Sequence, residues 1–274
     1  MKEQERFSWG KISFSRKAIR ASATSLRGKN IFHIITEIDI SIPRALLNSY
    51  KKLFGNKPSL TAYIVKCFSN TIEHFHGFNA FIIGNRIVYL KDTTITVLVE
   101  RKIGSEYVPE PMAIEGCQTK TFLEISEEIR QVHSGESGTL GTLSGMPWLT
   151  LIPGFLLGLF IRLASRSINI GIKSGKLAVT SIGMFSKEPG WVIPHGSATV
   201  LLSVGSIIKR PVEIEGRFET REHLCLTISF DHDVIDGSPA ARFMSDLAAE
   251  IRSGNEISKM IEEKKAGSDL CAKE

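Results

Sequence analysis

The stretch TISFDHDVIDGSPAARF, residues 227–243, decides how the chain is read. Its first residues are β-prone and lead out of an apolar run, as the end of a strand does. Ser238 is the expected helix N-cap, with Pro239 at the first helical position, and apolar residues at helical spacing follow to a stop at Gly254. The loop between strand and helix carries His232 and Asp236, four residues apart, with Gly237 directly behind. A side chain held between two rigid elements is well placed for chemistry. Histidine titrates near neutrality, so it can take and return a proton. Asp236 can orient it or pin the loop, and Gly237 permits a tight backbone path. The same residues also suit a polar turn, with Asp236 capping the helix and His232 as a surface histidine. The loop on its own leaves both readings open.

Upstream, the pattern predicts a helix over 16–28 ending at Gly28 and a β-branched strand over 31–40. A helix follows over 41–55, with Ser41 as N-cap and Pro43 near its start. Another spans 59–75, capped by Ser59 or Thr61. A hairpin over 80–90 turns at Gly84-Asn85, and a strand over 93–101 precedes a helix over 121–135. Strands are expected at 176–183 and 198–208, then two more within 210–230 joined at Glu215-Gly216. The charged residues from Asn255 onward are expected to fray as a polar tail, 255–274. Helices dominate the first half and strands the second. That grouping argues for α/β with an α+β-like order, and against a doubly wound nucleotide fold. No GxGxxG or GxxxxGK[ST] stretch stands at a strand-to-helix turn.

The 274 residues suit one large domain or two small ones. Lys plus Arg exceed Asp plus Glu by five, a mild excess that fits an acidic small ligand, and no basic run argues for nucleic acid. Cys67, Cys117, Cys225 and Cys271 are scattered, without a CxxC pair or histidines at zinc spacing, so the expectation is reduced thiols, a cytoplasmic setting and no metal. The opening MKEQERFSWGK lacks the apolar segment of a secretory signal. One segment, MPWLTLIPGFLLGLFIRLA (146–164), is strongly apolar. Its apolar run from Met146 to Ile161 is shorter than the roughly 20 residues a spanning helix needs, with Pro153-Gly154 interrupting it and Arg162 closing it. It is expected to be a buried or interface helix, ahead of an acyl-chain wall or a shallow membrane contact.

The run GSIIKRPVEIEGRFETREHLCLTISFDHDVIDGSPAARFMSDL resembles the end of the catalytic domain of dihydrolipoamide acyltransferases, the acyl-transferring core subunits of 2-oxo-acid dehydrogenase complexes. GKLAVTSIGMF (175–185), GSATVLLSVGSI (196–207) and TKTFLEISEEIRQ (119–131) are similar to the family's preceding strands and helix. FSRKAIRASATSL (14–26), FHIITEIDIS (32–41) and GFNAFIIGNRIVYLKDTTITVLVE (77–100) resemble its amino-terminal half, in order. Chloramphenicol acetyltransferase and peptide-synthetase condensation domains share the loop. Here a single His232 follows Asp231, as in the dihydrolipoamide acyltransferases.

The resemblance implies a chloramphenicol acetyltransferase-like mixed sheet with flanking helices that forms trimers. It implies one catalytic domain over 1–254 with a divergent apolar insert at 136–174. It implies His232 as the general base that deprotonates a thiol, and Thr180 as the hydroxyl that donates to the tetrahedral oxyanion. Without the family Thr180 is an ordinary strand residue. Asp236 and Gly237 correspond to the family's loop support, with Arg16 as the candidate partner of Asp236. His232 and Thr180 would come from different subunits. Coenzyme A is implied as a substrate, and an acyl-CoA or acyl-dihydrolipoamide as donor to a thiol or other nucleophilic acceptor, with no lipoyl-lysine expected within this chain. The other function weighed is a non-catalytic trimeric scaffold that binds a carrier. One departure touches the loop itself: Asp233 stands where the family usually has arginine.

Overall fold

Six strands form one mixed sheet in the order β1-β8-β7-β6-β4-β5. They are β1 (Ile31–Asp39), β4 (Ile95–Ile103), β5 (Glu106–Ile114), β6 (Leu177–Ser181), β7 (Val200–Ile214) and β8 (Arg217–Asp231). Strand β6 runs parallel to both neighbours, and every other pair is antiparallel. Strands β2 (Ala80–Ile83) and β3 (Arg86–Tyr89) make the separate hairpin expected around Gly84-Asn85. This computed structural model describes residues 7–10, 12–55, 58–103, 106–133, 156, 158–159, 167–183 and 188–271. The apolar segment 146–164 lies almost wholly outside the described residues, as does most of the divergent insert.

Alternation along the strands separates the two faces of the sheet. Ile95, Val97, Val99, Leu177, Val179, Val200, Leu202, Leu226 and Ile228 turn to one face and enter the main core. Helices α2 (Ser41–Phe54), α3 (Leu60–His74), α4 (Phe122–His133) and α6 (Gly237–Ser253) cover that face. Helix α3 is buried continuously from Ala62 to Ser69, because α4 and α6 both pack against it. The opposite face carries Thr96, Ala178, Thr180, Leu201, Ser203, Thr227 and Ser229. Helix α1 (Phe14–Ser25) and the segment 188–198 lie over parts of it. Trp191 Nε1 donates to the Thr36 carbonyl at 3.1 Å and fastens that segment to β1.

Four differences from the sequence reading have physical causes. Strand β5 is missed by pattern because it holds Pro109 and Pro111, which an edge strand tolerates. The strands expected at 198–208 and from 210 are one strand, β7, with a register shift between Val204 and Ile207. Residues Asn255–Cys271 form a helix, α7, and do not fray, since Ile257, Met260 and Ile261 are buried in the core. Ser41 and Ser238 sit inside their helices: Ile40 and Asp236 occupy the cap positions, while Ser41 Oγ accepts from the Glu222 amide at 2.9 Å. A short helix, α5 (Ile168–Ser174), leads into β6.

After β6 the chain meets β7 at its register shift through glycines. Ile182 N–H donates to the Val204 carbonyl at 2.9 Å, and Ser206 N–H donates to the Gly190 carbonyl at 3.2 Å. A Cβ on Gly183 would sit 1.7 Å from the Gly205 carbonyl oxygen, and one on Gly205 would sit 2.3 Å from that of Gly190. Backbone touches backbone there, so no other residue fits. Among the described residues, no helix is long and apolar enough to cross a membrane.

Candidate active site

The His232 loop hangs from Asp231, the last residue of β8. The Asp231 carbonyl accepts the Val234 and Ile235 amides at 3.0 Å each, which curls the chain back toward α6. Its carboxylate accepts Lys29 Nζ at 2.5 Å and the Asp233 amide at 3.3 Å. The Asp231 side chain is only 8% exposed, so the pair is well shielded at one end. The next residue, His232, donates its amide to the Asn30 carbonyl at 2.6 Å, one step beyond the β1–β8 ladder. The imidazole is 53% exposed and tilts against the Phe32 ring, with centroids 4.9 Å apart. Phe32 itself stacks on buried Phe230, so the imidazole rests on an aromatic column rooted in the core.

Asp236 lies 3.8 Å from His232 Nδ1 and is 84% exposed. That is ion-pair range for a protonated imidazole and too long for a hydrogen bond. The Asp236 side chain does not cap α6; its carbonyl accepts the Ala240 amide at 3.1 Å and so starts the helix. Asp233 accepts a hydrogen bond from Asn30 Nδ2 at 2.9 Å. Asn30 therefore holds the loop twice, by its carbonyl and by its amide side chain. Arg16 stands exposed on α1 and forms no ion pair with Asp236, so the partner expected for that carboxylate is not supplied by this helix within one chain.

Thr180 is on β6, in register with Leu98 on β4 and Ser203 on β7. It faces away from the core and lines a cavity of about 1080 Å³ beside α1, where Ser22, Leu98, Ala178 and His195 also contribute. Among the described residues its hydroxyl has no hydrogen-bond partner, which leaves the O–H free to donate into the cavity. At the opposite end of the same strands, Lys176 Nζ lies 4.6 Å from the centre of the Phe81 ring. Burial pushes its ammonium below the usual value, the nearby Lys29 charge adds to this, and Asp231 opposes it. Among the described residues, no group of three His, Cys, Asp or Glu side chains could hold a metal ion.

One chain does not bring His232 and Thr180 together. Thr180 is level with Ser203 and Thr227 across the sheet, and Thr227 is five residues before His232. At about 3.3 Å per residue and about 4.8 Å per strand, the backbones are roughly 19 Å apart. A base and an oxyanion donor must each reach within about 3 Å of one reacting group. Neither side chain is long enough to close that gap.

The family model described as 2-oxoacid dehydrogenases acyltransferase (catalytic domain) matches residues 10–142 and 169–258. The chain belongs to this acyltransferase family. It is 25% identical over 252 residues to the lipoamide acyltransferase component of the branched-chain alpha-keto acid dehydrogenase complex of Bacillus subtilis, a match covering 88% of this chain and 51% of that protein. The chain thus spans about half the length of that acyltransferase. Among solved structures, Azotobacter vinelandii dihydrolipoamide acetyltransferase superposes with a TM-score of 0.70 at 17% identity, covering 93% of this chain and 95% of that one. The cubic core of the pyruvate dehydrogenase multienzyme complex gives 0.68 at 17% identity, with the same coverage. The fold expected from the resemblance, a mixed sheet flanked by helices, is the fold of these acyltransferase cores.

The sequence missed the fixtures of the loop. Asp231 was visible ahead of His232, but its partner Lys29 lies 202 residues away. Asn30, 203 residues from Asp233, gave no local signal either.

Proposed function

We propose that this chain, with α7 packed into the same core, holds the catalytic domain of an acyltransferase that moves an acyl group between a thioester and a thiol, with His232 as base and Thr180 as oxyanion donor. The donor is an acyl-CoA or an acyl-dihydrolipoamide, and the acceptor is the other thiol of that pair. The observation that carries this reading is the family match, which runs unbroken from 169 to 258 through both Thr180 and His232. The Azotobacter enzyme's structure was determined to investigate a serine, a histidine and an asparagine in its catalytic mechanism, spaced by 52 and then four residues. Thr180, His232 and Asp236 keep both intervals.

In the reaction, the His232 imidazole takes the proton of the incoming thiol. An alkyl thiol is mostly protonated at neutral pH, so a base at the sulfur is needed before it attacks. The thiolate adds to the thioester carbonyl, and the oxyanion accepts a hydrogen bond from the Thr180 hydroxyl. Such a donor typically lowers the barrier by about 3 kcal/mol. Collapse breaks the original C–S bond, and the departing thiolate recovers the proton from His232. Asp236 and Gly237 shape and support the loop.

The separation of about 19 Å within one chain favours a site built where two copies meet, His232 from one and Thr180 from its neighbour. Cyclic trimers satisfy that requirement with three identical sites, and the resemblance points to them. The test is release of coenzyme A, separated by chromatography from dihydrolipoamide, from a panel of acyl-CoAs offered with that dithiol. Wild-type protein releases coenzyme A with at least one donor, and His232→Ala abolishes release while keeping the mass in solution. An unchanged rate in that variant refutes the assignment.

A further inference from the structure

Behind Thr180 stand two hydroxyls that the mechanism above does not use. Ser203 is the register partner of Thr180 on β7, and Thr227 is the register partner of Ser203 on β8. Paired residues on neighbouring strands share a face, so the three hydroxyls form a file across the sheet, about 5 Å from one backbone to the next. Only Thr180 lines the cavity. Ser203 and Thr227 are wholly shut off from solvent, and neither Oγ has a hydrogen-bond partner.

A buried hydroxyl without a partner is costly, and two side by side are unusual. Each needs only a χ1 rotation to point along the file. Resting on the oxyanion assignment of Thr180, we infer that Ser203 is a positioning residue for that donor, with Thr227 behind it. Ser203 O–H donates to Thr180 Oγ1, and Thr227 O–H donates to Ser203 Oγ. The Thr180 oxygen is then occupied as an acceptor, so its own proton has one direction left, into the cavity. Hydrogen bonds in a chain polarise one another, which makes the terminal O–H a stronger donor at the moment the oxyanion forms. The file is assembled by the reaction, since only a negative oxygen at its open end rewards aligning all three groups.

The experiment is a double-mutant cycle between Ser203 and Thr180, read as kcat and KM for the acyl donor. Ser203→Ala lowers kcat about five- to tenfold with KM unchanged, as expected for one lost hydrogen bond. In the Thr180→Ala background the same substitution has no further effect, because there is no hydroxyl left to position. Thr227→Val, which keeps the shape and removes the hydroxyl, gives a smaller kcat loss, and Thr227→Ser restores the wild-type rate. Mass in solution and thermal midpoint are followed throughout. An equal loss in both backgrounds means a structural role and overturns the inference, as does a wild-type kcat in Ser203→Ala. A wild-type rate in Thr180→Ala is a separate result: it removes the oxyanion assignment itself, and the inference with it.

Discussion

Lys29 Nζ sits 2.5 Å from Asp231 Oδ2 and ties the entry of β1 to the root of the His232 loop. The pair is lopsided: the lysine side chain is 30% exposed and the aspartate 8%. Removing the exposed partner strands the buried one. Lys29→Met is expected to cost about 2 kcal/mol, below the range for a fully buried pair because Lys29 reaches water. The urea midpoint measures it. The same variant should lower the rate of coenzyme A release, since the loop loses an anchor. A midpoint equal to wild type would show that the pair does not hold the loop.

A site shared between copies can be tested by mixing. His232→Ala chains are inactive alone, and Thr180→Ala chains are slowed about a hundredfold. Unfolded together in equal amounts and refolded, they rebuild about one wild-type site in four if each site takes one residue from each of two copies. If both residues served within one chain, the mixture would not rise above the residual Thr180→Ala rate.

Glu37 offers a pH test. Its pKa is held below the usual 4.5, first by the Arg210 hydrogen bond, against partial burial, with the charges of Arg210 and His223 adding. A carboxyl whose folded pKa is depressed stabilises the fold above its unfolded value and loses that contribution as pH falls through the folded value. Glu37→Gln should therefore be less stable than wild type at neutral pH, and the gap should close on acidification below 4.5. Urea midpoints across that interval decide it; a gap that widens toward acid contradicts the assignment.

Burial pushes the Cys117 thiol up to about 11, and pushes Cys67 and Cys225 upward too. All three are free and buried. At pH 8 the Cys117 thiolate is on the order of one part in a thousand. Iodoacetamide should leave the three unmodified in folded protein and label them all in urea, as read by peptide mass spectrometry. Native labelling at any of them would contradict this. These cysteines thus have no part as acyl acceptors.

The sequence was most legible where local chemistry decides structure. Gly84-Asn85 announced its hairpin, and Ser59 caps α3 by accepting the Ala62 amide at 3.4 Å. The His232 loop was visible because a strand end and a proline-started helix frame it. Asn255–Cys271 was misread because its charges mask three buried residues that only the assembled core explains. Thr180 was visible only through resemblance, since a threonine in a strand carries no signal of its own. Lys29, Asn30, Ser203 and Thr227 were beyond sequence reading altogether. Their roles arise from register between segments far apart in the chain, and periodicity reports only neighbours.

The contacts of Gly183 with Gly205 and of Gly205 with Gly190, with Ser206 Oγ accepting the Gly190 amide at 2.7 Å, fix the chain just past Thr180. The wall of the cavity is therefore held in place without help from the side chains that line it. Those linings are free to drift. Substitutions at positions such as Ser22, Leu98 or His195 can reshape what the cavity admits while the threonine keeps its address. A scaffold of this kind can change its cargo through evolution without rebuilding the place where the cargo is handed over.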